Sequence, residues 1–248
     1  MKTLYVIGIG TGNPEHITMQ GIAALNRADV VFIPTKGEDK AALAAVRREV
    51  CARYISRDVR MVEYAIGSRD DSVVDYGQRV RDWHDEIAGR YEEMFSQAPE
   101  DGNGALLVWG DPGLYDSTLR ILEAVRRGGM DFEVRVIPGI TAIQALTAAF
   151  AIPLNTIGNP VTITTGRQLA AGWPEGADTV VVMLDGKRTY EALDPDLHIY
   201  WAAYVGMEME ILIEGKLGAV REEISVAREA ARARHGWVMD IYLLRKMG

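Results

Sequence analysis

Apolar residues over the first 138 positions come in two alternating forms. Short unbroken runs bounded by glycine or proline predict strands at TLYVIGIG (3–10), DVVFIP (29–34), VRMVEYAI (59–66), ALLVWG (105–110) and FEVRVIPG (132–139). Between them, apolar positions recur three and four apart and predict helices over 18–28, 40–55 and 116–129. The longest such stretch carries Val73, Tyr76, Val80, Trp83, Ile87, Tyr91 and Met94 on one face, which is expected to pack in the core. QAPEDGNG (97–104) is a polar loop. Thr18 is placed to cap the first helix, and Gly128-Gly129 to close the one that ends there. Repeated strand–helix units predict a mostly parallel sheet flanked by helices.

The rhythm breaks at Pro138-Gly139. After one helix (141–150), strands at VTITTG (161–166), TVVVML (179–184), HIYWAAYV (198–205) and EILIEGKL (210–217) follow at shorter intervals. A helix (220–234) and a last strand, WVMDIYLLR (237–245), end the pattern. Several of these links are too short for crossover helices, so the second sheet is expected to be mixed. The expected organisation is an N-terminal α/β domain over 1–138 and a C-terminal α/β domain over 139–248.

Composition narrows the function classes. The 248 residues carry a formal net charge of −8, which disfavours general binding to nucleic acid or anionic membranes. No apolar run approaches the ~18 to 20 residues that span a bilayer, and glycines interrupt the N-terminal run, which is expected to be a strand and not a signal peptide. The single cysteine, Cys51, excludes an internal disulfide and fits a reducing cytoplasm. His16, His84, His198 and His235 are scattered without metal-ligand spacing, so no metal site is expected.

Four stretches carry candidate chemistry. YVIGIGTGNPEHIT has glycines at 8, 10 and 12, but a dinucleotide fingerprint needs its third glycine where Asn13 stands, and the next strand ends at Pro34-Thr35 without an acidic residue for a ribose. A tight strand-to-helix turn is the alternative. In VWGDPGLYDST (108–118), Asp111 sits between Gly110 and Pro112 where a parallel strand should end, the edge at which open α/β sheets bind ligands. VIPGITAIQAL (136–146) repeats that arrangement, with Thr141 able to cap a helix. VVVMLDG (180–186) ends a strand at Met183.

In this order, GIGTGNP, GDPGLY, PGITAIQALTAAFAIPL and VVVML resemble the tetrapyrrole methylase family, over the whole chain. The resemblance implies a two-domain fold with S-adenosylmethionine in the cleft between the domains, in a homodimer. Carried over by motif, cofactor contacts fall on Gly110, Asp111, Pro112, Tyr115, Thr141, Ala142 and Met183, with Gly206 and Trp237 further along. Gly10, Thr11, Gly12, Asn13 and Pro14, together with Lys187 and Arg188, would line the macrocycle's side. Family members more often carry Gly-Pro-Gly-Asp where this chain has Gly10-Thr11-Gly12-Asn13. That departure, with GTGNPEHIT and GWVMDIYLLRK, resembles the branch that methylates carbon 1 of precorrin-5 and releases acetate to give precorrin-6A, in aerobic cobalamin synthesis.

A sulfonium donor is already activated, so the protein's task is positioning and exclusion of water. Asp111 would either meet polar groups of the cofactor or hold its own loop, and Tyr115 would pack on the cofactor or orient a water. Lys36, Arg167, Lys187 and Arg188 follow strand ends and are candidates for the macrocycle's carboxylates. Other acceptors remain open at this point: another precorrin carbon, uroporphyrinogen, a modified protein histidine or ribosomal RNA. So do a nicotinamide oxidoreductase and a non-catalytic binding module.

Overall fold

The computed structural model describes residues 1–35, 41–65, 75–96 and 98–246. Lys36 and Val73, and the expected element ends at Lys40, Ile66 and Gln97, lie outside them. The chain divides into two compact units, Met1–Ile140 and Thr141–Gly248.

The first unit holds strands β1 (Thr3–Gly8), β2 (Val30–Thr35), β3 (Arg60–Ala65), β4 (Asn103–Val108) and β5 (Glu133–Ile137) in one parallel sheet ordered β3-β2-β4-β1-β5. Every residue of β1 is buried, which explains its continuous apolar run: a parallel strand covered on both faces has no solvent side to alternate with. The helices are α1 (Met19–Leu25), α2 (Ala41–Tyr54), α3 (Tyr76–Ser96) and α4 (Thr118–Arg127). On one face, Ile87, Tyr91 and Met94 of α3 pack with Ile121, Leu122 and Val125 of α4 over Leu4, Val6, Phe32 and Leu106. Trp83 is partly buried at the margin of that core. Thr18 caps α1 by accepting from the Gly21 N–H at 3.0 Å. At the close of α4, Gly128 stays right-handed and Gly129, at φ 105°, makes the left-handed turn.

One expected boundary moves. β2 runs through Pro34 to Thr35, because its ladder with β4 stops at Phe32 and proline's missing N–H breaks no bond on that side.

The connections set up the edge that matters. The crossover through α1 carries the chain from β1 past β4 to β2. The crossover through α4 carries it from β4 past β1 to β5. Neighbouring strands β1 and β4 thus send their chains in opposite directions, the reversal at which open sheets leave room for ligands beyond their carboxyl ends.

The second unit builds a mixed sheet, as expected, from β6 (Val161–Thr165), β7 (Thr179–Met183), β8 (His198–Ala203), β9 (Ile211–Lys216) and β10 (Asp240–Arg245), ordered β6-β7-β10-β8-β9. Only β6 and β7 are parallel. Helices α5 (Ala142–Ala149) and α7 (Leu217–His235) pack on it, and the short α6 (Gly166–Leu169) follows β6. The final strand begins at Asp240 and not at Trp237. Gly236, at φ 76°, ends α7, and 237–239 form a link in which the Met239 carbonyl accepts from the Tyr204 N–H at 2.9 Å.

A buried polar network ties this sheet together. Arg228 Nε donates to Asp240 Oδ2 at 2.9 Å, with the two side chains 10% and 7% exposed, and Trp201 Nε1 donates to the same oxygen at 3.2 Å. Burial pushes the Asp240 carboxyl up while Arg228 pulls it down. Tyr242 and the Thr189 N–H donate to Asp185 Oδ2 at 2.7 and 2.6 Å.

Candidate active site

In the first unit the segments that follow β1, β4 and β5 meet in direct backbone contact. Gly110 N–H donates to the Gly10 carbonyl at 2.7 Å, and the Gly10 N–H returns a bond to Gly110 at 3.3 Å. A Cβ on Gly8 would lie 2.6 Å from the Gly139 nitrogen and 2.7 Å from the Gly110 oxygen, and one on Gly139 would lie 2.1 Å from that same oxygen. Glycine is required here because three backbones fill the space a side chain would occupy. Beside Gly10, at φ 80°, the imidazole-bearing Cβ of His16 stands where a side chain would point, 2.1 Å from that position. Gly8 and Gly10 of the opening loop are therefore taken up by protein atoms, and a pyrophosphate has no cradle against them.

Asp111 locks this junction. Its Oδ1 accepts from Gly113 N–H at 2.7 Å and its Oδ2 from Gly139 N–H at 2.9 Å, which joins the loop after β4 to the one after β5. Pro112 is buried beside it. Tyr115 adopts a left-handed backbone (φ 50°), which costs a non-glycine residue of order 1–3 kcal/mol, and presents a side chain 45% exposed. In the first loop Gly10, Thr11 and Gly12 are buried, and the Thr11 hydroxyl pairs with His16 Nδ1 at 3.0 Å. Asn13 accepts from the Glu15 N–H at 2.9 Å, and Pro14 opens a short 3-10 turn, so the side chains of this loop serve the loop itself.

In the second unit Met183, Gly206 and Trp237 lie at or near strand ends on one side of the sheet. Met183 pairs with Ile241 and Ala203 with Asp240, so the ends of β7 and β8 flank the start of β10. Met183 is half-buried, and the next residue, Leu184, is left-handed (φ 56°) and 66% exposed. Gly206, at φ 84°, donates its N–H to Glu210 at 2.6 Å. Trp237 turns its ring into the core, 5.0 Å from that of Tyr204, and its carbonyl accepts the Tyr204 hydroxyl. Any outward contact there is left to its backbone. Arg188 is held by Glu229 at 2.8 Å and Glu191 at 3.2 Å, whereas Lys187 and Arg167 are exposed. Thr141 caps α5 in a capping box, accepting from Ile143 N–H at 3.2 Å while its own N–H donates to Gln144 at 2.9 Å; Ala142 is the first helical residue.

Sequence reasoning missed Trp109. Its indole Nε1 is buried without an acceptor among the described residues, immediately before Gly110, and an orphaned buried donor costs about 1–3 kcal/mol. The only signal was an aromatic residue at the strand's end. It also gave no role to Asp185, whose partner Tyr242 is far off in sequence. Cys51 is not a nucleophile at neutral pH, since burial pushes its thiol up to about 11. Among the described residues no group of three or more His, Cys, Asp or Glu is arranged to hold a metal, and no helix is long and apolar enough to cross a membrane.

The family model for tetrapyrrole (corrin/porphyrin) methylases matches residues 3–221, and the chain belongs to that family. It is 55% identical over 250 residues to the precorrin-6A synthase (deacetylating) of Sinorhizobium sp, spanning 99% of this chain and 96% of that protein. The crystal structure of a putative cobalamin synthesis related protein (CobF) from Corynebacterium diphtheriae superposes with a TM-score of 0.85 at 37% identity, covering all of both chains. The uroporphyrin-III C-methyltransferase of Thermus thermophilus, solved in complex with S-adenosylhomocysteine, shares the fold at a TM-score of 0.62 and 18% identity, covering 98% of this chain and 92% of that one.

Proposed function

We propose that this chain transfers a methyl group from S-adenosylmethionine to carbon 1 of precorrin-5, with release of acetate, to give precorrin-6A. The observation that carries the donor site is the junction of the loops after β1, β4 and β5, clamped by Asp111, with the unpartnered Trp109 indole and the strained, exposed Tyr115 next to it. The acceptor and the loss of acetate are supported by the near-full-length similarity to a deacetylating precorrin-6A synthase.

When bound, S-adenosylmethionine supplies an activated methyl group as a sulfonium. In this reading Gly110, Asp111, Pro112 and Tyr115 hold it, and Thr141, Ala142, Met183, Gly206 and Trp237 are the further contacts that the family resemblance implies. The orphaned donor and the strand-end carbonyls fit such a ligand, which carries hydrogen-bond acceptors and a positive centre. Asp111 fixes the loop and Tyr115 shields the reacting pair from water. Holding two reactants in line contributes about 7–11 kcal/mol at best. The macrocycle lies against residues 10–14, with Lys187 and Arg188 toward its carboxylates; Arg188 would have to exchange Glu229 or Glu191 for them. The chain works in this account as a cytoplasmic homodimer, away from nucleic acid and membrane, consistent with its acidic balance.

Incubation with methyl-labelled S-adenosylmethionine and precorrin-5 tests the reading. One methyl gained and one acetate released per turnover are expected. A product that gains the methyl but keeps the acetyl unit would overturn the deacetylating assignment, and absence of transfer to precorrin-5 would overturn the acceptor.

A further inference from the structure

A second polar feature lies in the first unit, apart from the glycine junction. A cavity of about 130 Å3 sits beside the ends of β2 and β4, against α2, α3 and the start of α4. Its polar wall among the described residues is Arg47, Tyr64, Tyr91, Asp116, Ser117 and Thr118, with Trp83 beside them.

Arg47 dominates its charge. Nε donates to the Leu107 carbonyl and Nη1 to that of Leu43, each at 2.9 Å, which fixes the guanidinium with Nη2 uncommitted among the described residues. No carboxylate among those residues forms an ion pair with it. Burial pushes its pKa down, and Asp116 acts on it from farther away. Asp116 itself receives the Thr118 N–H at 2.7 Å. The Tyr64 and Tyr91 hydroxyls share one hydrogen bond of 3.0 Å, which leaves one proton of the pair to give. Burial pushes Tyr91 up to about 12 and Tyr64 well above its usual value, so both remain donors. The Ser117 hydroxyl makes no capping bond to α4. A fixed cation withdrawn from water without a contact counter-ion is costly, and the planar fork of a guanidinium is matched by a carboxylate.

We infer that this cavity receives a short carboxylate, bound by Arg47 Nη2 and the Tyr64–Tyr91 hydroxyl pair. Two sources share that chemistry: the two-carbon acid released on deacetylation, and a carboxylate arm of the macrocycle. The sources rest on the proposed function; the binding of a carboxylate does not.

Titration of the full chain with acetate, followed by calorimetry and by the linewidth of labelled acetate, tests it. Saturable binding is expected, weakened at least tenfold in Arg47→Met and about threefold in Tyr64→Phe. Because Arg47 also holds two backbone carbonyls, Tyr64→Phe and Ser117→Ala, checked by thermal melts, keep the test independent of folding. In turnover, a pocket for the released acid gives product inhibition by acetate that Tyr64→Phe relieves, with the macrocycle KM unchanged. A pocket for a macrocycle arm instead gives acetate binding that competes with the macrocycle, and a severalfold rise in that KM in Tyr64→Phe. Methyl transfer at the normal rate with neither acetate binding nor a change in KM would overturn the inference and leave the proposed function standing. Acetate binding lost in Arg47→Met, in a chain that transfers no methyl, would support the cavity and count against the function.

Discussion

The two units secure their sheet ends by opposite means. The first joins backbone to backbone: Gly8, Gly110 and Gly139 touch without side chains, and one carboxylate, Asp111, ties its own loop to Gly139 through the amides of Gly113 and Gly139. The second buries ionised and aromatic side chains, with Arg228 and Trp201 on Asp240, and Tyr242 and Thr189 on Asp185. The difference predicts where each is fragile. A junction of backbones is intolerant of added atoms. A buried network is intolerant of losing one partner, because the charge left behind stays desolvated.

Breaking the network should give the largest effect. Arg228→Met leaves Asp240 buried without its cation and should destabilise by about 3–5 kcal/mol in urea unfolding, with part recovered when Asp240→Asn is added. A loss below about 1 kcal/mol would mean that the pair does not hold the sheet. Next, Gly139→Ala drives a Cβ to 2.1 Å from the Gly110 oxygen and should cost about 1–3 kcal/mol while lowering affinity for S-adenosylmethionine. Full stability and affinity in that variant would show that the three segments part easily. Asp111→Asn places an amide nitrogen against a backbone N–H and should cost about 1–2 kcal/mol, read from the melting temperature. The smallest effect is electrostatic. The Asn103 N–H, then Arg57, holds the Asp29 carboxyl below its ordinary value. That contribution is present above the unfolded pKa of about 3.9 and is lost as pH falls through the lower folded one. With both side chains more than a third exposed it is worth under about 1 kcal/mol, and Asp29→Asn should flatten the acid limb of stability by that amount.

Much of the fold was legible because period and punctuation are local. The buried run of β1, the core positions Ile87, Tyr91 and Met94 of α3, the cap at Thr141 and the crowded strands of the second half all follow from neighbours in sequence. What was not legible depends on distant partners. WVMDIYLLR looks like one strand, yet its first three residues form a link held to Tyr204. Gly8 and Gly10 look like an open turn in the sequence, but the space a Cβ would take there is filled by Gly110, Gly139 and His16. Arg188 looked like an unencumbered cation until Glu229 was brought beside it by α7. Arg47 sits in an alanine-rich helix that gives no hint of the cavity it faces, and Trp109 shows its unmet donor only once the strand is buried.

The central claim is that the loops following β4 and β5 hold the methyl donor. Hydrogen exchange on the full chain, with and without S-adenosylmethionine, tests it most directly. The account predicts slowed exchange in peptides covering 109–115 and 139–145. Protection confined to other segments, with these two unchanged at saturating donor, would contradict it.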